Sequence, residues 1–232
     1  MNVIMPETII EICELEKCFG EQKVLSNINL SIERGKIYGL VGRNGSGKTV
    51  LMRCVLGILH PDAGYVKVKD RQIGRDVEFA PDTGFLIEEP GFFLDKSGFQ
   101  NLKYLYGINH NPDKKKILNV LESVGLGNVG RKKVGKYSMG MRQRLGIAQA
   151  VIEDPEILLL DEPMNGLDDQ GVKEMRDRLL SYKQKGVTIL LASHNRDDIE
   201  LLCNEVFHMD HAVLDDHGMG SWSLSSDYGA SS

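Results

Sequence analysis

The octapeptide Gly42-Arg43-Asn44-Gly45-Ser46-Gly47-Lys48-Thr49 matches the pattern G-x-x-x-x-G-K-[ST], and it dictates what must lie on either side of it. Such a loop cradles phosphate only when a strand delivers it and a helix leaves it. Both neighbours are present. Lys36–Val41 is short and almost continuously apolar, and Thr49–Leu59 places Val50, Leu51, Val55, Leu56 and Leu59 at helical spacing. Gly42, Gly45 and Gly47 free the backbone N–H groups of the loop, Asn44 and Ser46 included, to turn inward. The helix start adds its positive dipole end. Lys48 is then expected to reach β- and γ-phosphates, and the Thr49 hydroxyl to ligate Mg²⁺. Binding of a nucleoside triphosphate with Mg²⁺ follows, and its hydrolysis is the expected activity.

The flanking pattern predicts an α/β fold. Ile9–Lys17 and Val24–Ile32 alternate apolar and polar residues like half-buried antiparallel strands, and Tyr65–Lys69 reads as another strand. From Ser97 to Ile152 the pattern turns helical, with Phe99–Tyr106, Lys114–Val124 and Met141–Ile152 as the elements. Ile157–Leu160 and Thr188–Ala192 are continuous apolar runs typical of parallel strands covered on both faces. Gly171–Lys185 is a helix between them. The expected architecture is a P-loop NTPase core with a mixed sheet, an antiparallel β subdomain near the N-terminus and an inserted helical subdomain. Residues 1–96 and 153–214 form the core and 97–152 the insert. Residues 215–232, rich in Ser, Gly and Asp, read as a disordered tail.

Two further segments carry chemistry. Ile157-Leu158-Leu159-Leu160 runs into Asp161-Glu162, two carboxylates at the edge of a parallel sheet where ligands bind. Asp161 is expected to hold Mg²⁺ through water, and Glu162 to polarise the attacking water as general base. Upstream, Ser138-Met139-Gly140 opens the third helix. Ser138 is a natural N-cap and Gly140 permits close approach of an anion, so the segment is either a second phosphate contact or a plain capped helix.

Bulk properties narrow the partners. A formal net charge of −5 gives no support for free-standing nucleic-acid binding. No apolar run approaches the ~18–20 residues that span a bilayer. Met1–Thr8 has neither a basic start nor an apolar signal core, so a cytoplasmic protein is expected. Cys13, Cys18, Cys54 and Cys203 form no CxxC pair and no zinc spacing, which predicts free thiols.

The order of these segments, phosphate loop, helical insert, Ser-x-Gly before an apolar helix, then LLLDEP, closely resembles the ATP-binding subunits of ABC transporters over nearly all of Ile9–Asp210. The resemblance implies a head-to-tail homodimer in which Ser138 and Gly140, standing in the signature motif, contact the γ-phosphate held by the other copy. Met139 and Met141 depart from the usual Gly and Gln of that motif. It further implies that Asp168, in Asn165-Gly166-Leu167-Asp168, is the D-loop carboxylate. His194, after the strand Thr188–Ala192, is implied as the switch histidine at the γ-phosphate. Phe19 is implied to stack on adenine, with core packing as the competing reading. Glu88 stands where the family has a Gln that helps bind Mg²⁺. Glu for Gln, together with the Ser138–Arg144 segment, is similar to bacitracin and lantibiotic self-protection exporters.

The implied role is therefore ATP hydrolysis on the inner face of the cell membrane, coupled to an integral membrane permease, for export of peptide antibiotics or other drugs. The exposed apolar candidates Phe92, Phe93 and Leu94 are expected to receive a helix from that permease, with packing between core and insert as the competing reading. A soluble ATPase of the same family, acting on ribosomes or DNA, is the alternative. It usually brings two ATPase modules or a long coiled coil, and this chain has one loop and a short insert. A P-loop kinase explains the loop but not Ser138, Asp168 and His194 in order. After Asp210 the chain turns irregular, so the final strands are expected to be missing or altered.

Overall fold

Strand pairing divides the chain between two sheets, described for residues 7–88 and 90–215 in a computed structural model. The first is antiparallel. β1 (Thr8–Phe19) and β2 (Gln22–Glu33) form a hairpin around Gly20-Glu21, and β4 (Ala63–Val68) and β5 (Arg71–Gln72) extend it in the order β2-β1-β4-β5. Ile10, Ile12, Leu15, Leu25, Ile28 and Leu30 point from it into a dry interior, as the alternation in sequence requires.

The second sheet is mixed, in the order β10-β9-β3-β8-β7-β6. Here β3 is Ile37–Val41, β6 Thr83–Leu86, β7 Ile157–Asp161, β8 Thr188–Ala192, β9 Glu205–Asp210 and β10 Val213–Asp215. All neighbours are parallel except β10 on β9. Every residue of β3 and β8 is buried, which is why those strands read as unbroken apolar runs.

Each face of this sheet has its own core. α1 (Lys48–Leu56) fills the space toward the antiparallel sheet, with Leu51, Met52 and Val55 packed among Leu25, Leu159 and Leu190. Truncating Leu51 to Ala in such a site costs about 2–5 kcal/mol. The opposite face is covered by α5 (Asp169–Gln184), α6 (Arg196–Leu202) and the insert. The insert comprises α2 (Gly98–Tyr106), started by a capping box between Ser97 and Gln100, α3 (Lys114–Ser123), capped by Asp113, and α4 (Met139–Val151). Its core of Leu102, Ile117, Leu121 and Leu145 runs on into Leu158 and Leu160 of the sheet.

This is the α/β architecture expected from the sequence, with corrections at its C-terminal end. The final strands are not missing: β9 and β10 form a hairpin through His211-Ala212, both at positive φ, and Ala212 accepts a hydrogen bond from Ser26 N in β2. Asp215 belongs to β10 and not to a tail. The expectation of disorder for 216–232 and the reading of residues 1–6 lie outside the described residues. The four cysteines are free, and burial pushes the Cys54 thiol up to about 11 and that of Cys203 up to about 12.

Candidate nucleotide site

Parallel register brings the chemistry to one edge. Leu40 of β3 and Asp161 of β7 both lie opposite Ala192 of β8, so the loop after β3, the carboxylates after β7 and His194 after β8 leave the sheet together. Within the loop, Gly47 has φ +111° and precedes α1 directly; a Cβ there would meet Val24 O at 2.7 Å. Only glycine fits both demands. Asn44 and Gly45 are exposed, whereas Ser46 is buried and its Oγ has no hydrogen-bond partner among the described residues. Lys48 is 7% exposed, and its ammonium donates to Gly42 O (2.7 Å) and Arg43 O (3.0 Å) inside the loop. Burial lowers its pKa, opposed by the charges of Asp161 and Glu162.

Thr49 Oγ1 donates to Asp161 Oδ2 at 2.6 Å. A hydroxyl and a carboxylate side by side are hard oxygen donors of the kind Mg²⁺ takes while keeping several waters. The orphaned Ser46 hydroxyl and the buried Lys48 beside them suit the phosphates that would accompany such an ion. Glu162 follows with φ +49°, a conformation that costs a non-glycine residue about 1–3 kcal/mol and persists only where neighbours enforce it. They do so here. Glu162 N donates to Ala192 O (2.9 Å), and its carbonyl accepts from Asn165 N (3.1 Å) and Gln143 Nε2 (2.9 Å). One carboxylate oxygen, Oε1, contacts both the backbone N (3.0 Å) and Nδ1 (2.8 Å) of His194.

The Ser138 side is built differently. Ser138 is exposed and caps α4 by accepting from Met141 N at 3.2 Å. Gly140 makes a close approach to neighbouring backbone: a Cβ there would lie 2.7 Å from Gly166 O. Gly166, at φ +74°, is in turn covered by the Met139 side chain. The Ser138–Gly140 and Asn165–Asp168 segments therefore interlock within one chain. Asp168 caps α5, accepting from Gly171 N at 2.9 Å.

Two residues stand apart from these groups. Phe19, at the hairpin tip, is 50% exposed with the Lys17 ammonium over its ring, so core packing is excluded. Glu88, expected near Mg²⁺, instead ion-pairs with Arg53 of α1 at 2.6 Å, its backbone at φ +59°. Phe93 and Leu94 are exposed (60% and 55%), while Phe92 packs partly on the core. Sequence reasoning missed Gln143, Arg176 and Asp198. Gln143 sits one turn into α4 among polar residues, and nothing in its spacing points to the Glu162 carbonyl. Asp198, 1% exposed, is the one of these that a buried-charge argument finds, and only once burial is known.

Comparison with known proteins identifies the family and the fold. The ABC transporter family model matches residues 25–165. An uncharacterized ABC transporter ATP-binding protein of Bacillus subtilis, YybJ, is 42% identical over 89% of this chain and 95% of its own length. The bacitracin transport ATP-binding protein BcrA of Bacillus licheniformis is 41% identical over 86% of this chain, which spans 66% of that protein. The lantibiotic transport ATP-binding protein SrtF of Streptococcus pyogenes is 36% identical over 84% of each. Among solved structures, a dimeric post-hydrolysis state of the ATP-binding cassette MJ0796 bound to ADP and Pi superposes with a TM-score of 0.80 over 89% of this chain and 97% of that one, at 19% identity. The chain belongs to the ABC transporter family. Within it, this is the ATP-binding subunit, an enzyme that hydrolyses nucleotide; no helix among the described residues is long and apolar enough to cross a membrane.

Proposed function

We propose that this subunit drives a peptide-antibiotic exporter, and that it does so as an ATP-bridged head-to-tail homodimer bound to an integral membrane permease at the inner face of the cell membrane. The observation that carries the catalytic half is the joint convergence of Thr49 on Asp161 (2.6 Å) and of Glu162 on His194 (2.8 Å) at one sheet edge. The substrate half rests on the likeness to BcrA and SrtF.

In this reading Gly42, Asn44, Gly45, Ser46 and Gly47 line the phosphates of ATP, and Lys48 exchanges its two carbonyl partners for β- and γ-phosphate oxygens. Thr49 and Asp161 would hold Mg²⁺. When bound, that ion neutralises charge on the phosphate oxygens. Glu88 would join Thr49 and Asp161 by exchanging its partner Arg53 for the ion. His194 holds Oε1 of Glu162 so that Oε2 faces the attacking water and accepts its proton. Phe19 offers its open ring to the adenine, which favours any purine. Ser138 and Gly140 of one copy close the site of the other, with Asp168 at the same junction.

The direct test is Glu162→Gln with ATP and Mg²⁺ in size-exclusion chromatography. A dimer that forms with ATP and is absent with ADP is expected; a chain that stays monomeric at every concentration counts against the reading. For the permease, Phe93 and Leu94 supply the apolar contact. A photocrosslinker at Phe93 should label a co-expressed membrane subunit, and labelling confined to lipid would sink that assignment.

A further inference from the structure

We infer that Arg176, Asp198 and Ser193 form a positioning network for His194, so that the hold of His194 on Glu162 is set from beneath by a buried ion pair. This rests on the proposed roles of His194 and Glu162 and adds the residues that make that contact possible.

The network begins in α5. Arg176 brings two nitrogens to one oxygen of Asp198, Nε at 2.8 Å and Nη2 at 2.6 Å from Oδ1. Asp198, in the first turn of α6, is 1% exposed. A carboxylate so far from water is tolerated only when its charge is paired and its lone pairs are used. Its second oxygen accepts from Ser193 Oγ at 3.2 Å, and Ser193 is itself 2% exposed. The same hydroxyl accepts from Asn195 N at 3.1 Å. Ser193 and Asn195 flank His194, so this hydrogen bond closes the turn whose middle residue is His194. The side chain of Asn195 then caps α6 through Asp197 N at 2.9 Å, fixing where the helix starts.

Position follows from these bonds. His194 is 67% exposed at its side chain, so burial does little to hold it. Yet its backbone N and Nδ1 both reach Glu162 Oε1, which requires a fixed turn geometry. The turn is anchored on one side by the end of β8 and on the other by Ser193–Asp198–Arg176. A displacement of about 1 Å at a reacting group costs on the order of a hundredfold in rate. Loosening this anchor is therefore a catalytic change, although its three members act only through His194. Arg176 also lies on the helix that Asp168 caps, so one rigid element carries both the D-loop carboxylate and the support of His194.

The test is epistasis with His194. Full-length variants Ser193→Ala, Asp198→Asn, Arg176→Met and His194→Ala are assayed for kcat and for affinity toward a fluorescent ATP analogue, and the first three are repeated in the His194→Ala background. Expected are a fall of about tenfold to a hundredfold in kcat for Asp198→Asn and Ser193→Ala, unchanged analogue affinity, and no further fall in the double variants. Should Asp198→Asn fail to fold, Ser193→Ala removes only a hydroxyl and carries the test alone. Losses that multiply in the double variants, or a folded Ser193→Ala at full rate beside a slow His194→Ala, overturn the network. A His194→Ala enzyme at full rate overturns instead the reading of the site on which the network rests.

Discussion

The edge bearing Gly42–Thr49 and the face bearing Ser138–Gly140 satisfy their polar groups in different ways. At the first, Lys48 is bonded within its own loop, Thr49 to Asp161 and Glu162 to His194, and the strain at Glu162 is held by bonds from β8 and α4. At the second, Ser138 and Asp168 do no more than cap their own helices, and Gly140 and Gly166 press backbone on backbone. One region gathers the proposed catalytic groups within a single chain. The other is an exposed surface whose polar side chains cap their own helices. The contrast fits the proposed division of labour, in which one chain binds nucleotide and a second is needed for efficient hydrolysis.

The largest effect should come from the first region. Glu162→Gln is expected to lower kcat by about 10²–10⁴-fold while ATP still binds, read by phosphate release beside nucleotide affinity. Lys48→Ala comes next. Losing a charge-assisted bond of about 1.5–3 kcal/mol should weaken affinity for an ATP analogue by about tenfold to a hundredfold in the isolated chain. Ser138→Ala sharpens the comparison: it should slow steady-state hydrolysis by about tenfold at saturating ATP yet leave monomer affinity unchanged. Equal loss in monomer binding would erase the distinction between the regions.

Gln143→Ala probes a side-chain bond from the insert to Glu162, and a severalfold fall in kcat is expected, since a single neutral hydrogen bond is worth about 0.5–1.5 kcal/mol. The smallest effect concerns pH, far from either region. Glu156 accepts from Lys69 and Arg34, which hold its carboxyl below the usual carboxylate range. A lowered folded-state pKa contributes stability above the unfolded value of about 4.3 and loses it as pH falls through the folded one. Glu156→Gln should thus lower the thermal midpoint slightly at pH 7, with a difference below about 1 kcal/mol that shrinks as the solution is acidified.

The placement of several candidate residues was legible because it is local. Gly47 takes the positive φ that its turn into α1 needs, and Asp161-Glu162 end an apolar strand, as their spacing predicts. The partner of Glu88 was not legible. Its position along the chain suggested a metal ligand, and nothing local announced that Arg53, thirty-five positions earlier, pairs with its carboxylate. Phe92 differed from Phe93 only through packing, and β10 only through its pairing with β9.

By itself the sequence determined the phosphate loop, the parallel strands around it, the helical insert and the order of motifs, since each depends on residues within a few positions of one another. Tertiary structure decided which oxygen of Glu162 His194 holds, that Gln143 braces the Glu162 carbonyl, and that a buried Arg176–Asp198 pair lies under Ser193. Those contacts join residues up to 32 positions apart through sheet register and helix docking. Backbone propensity carries no record of such pairings; only the packed core fixes them.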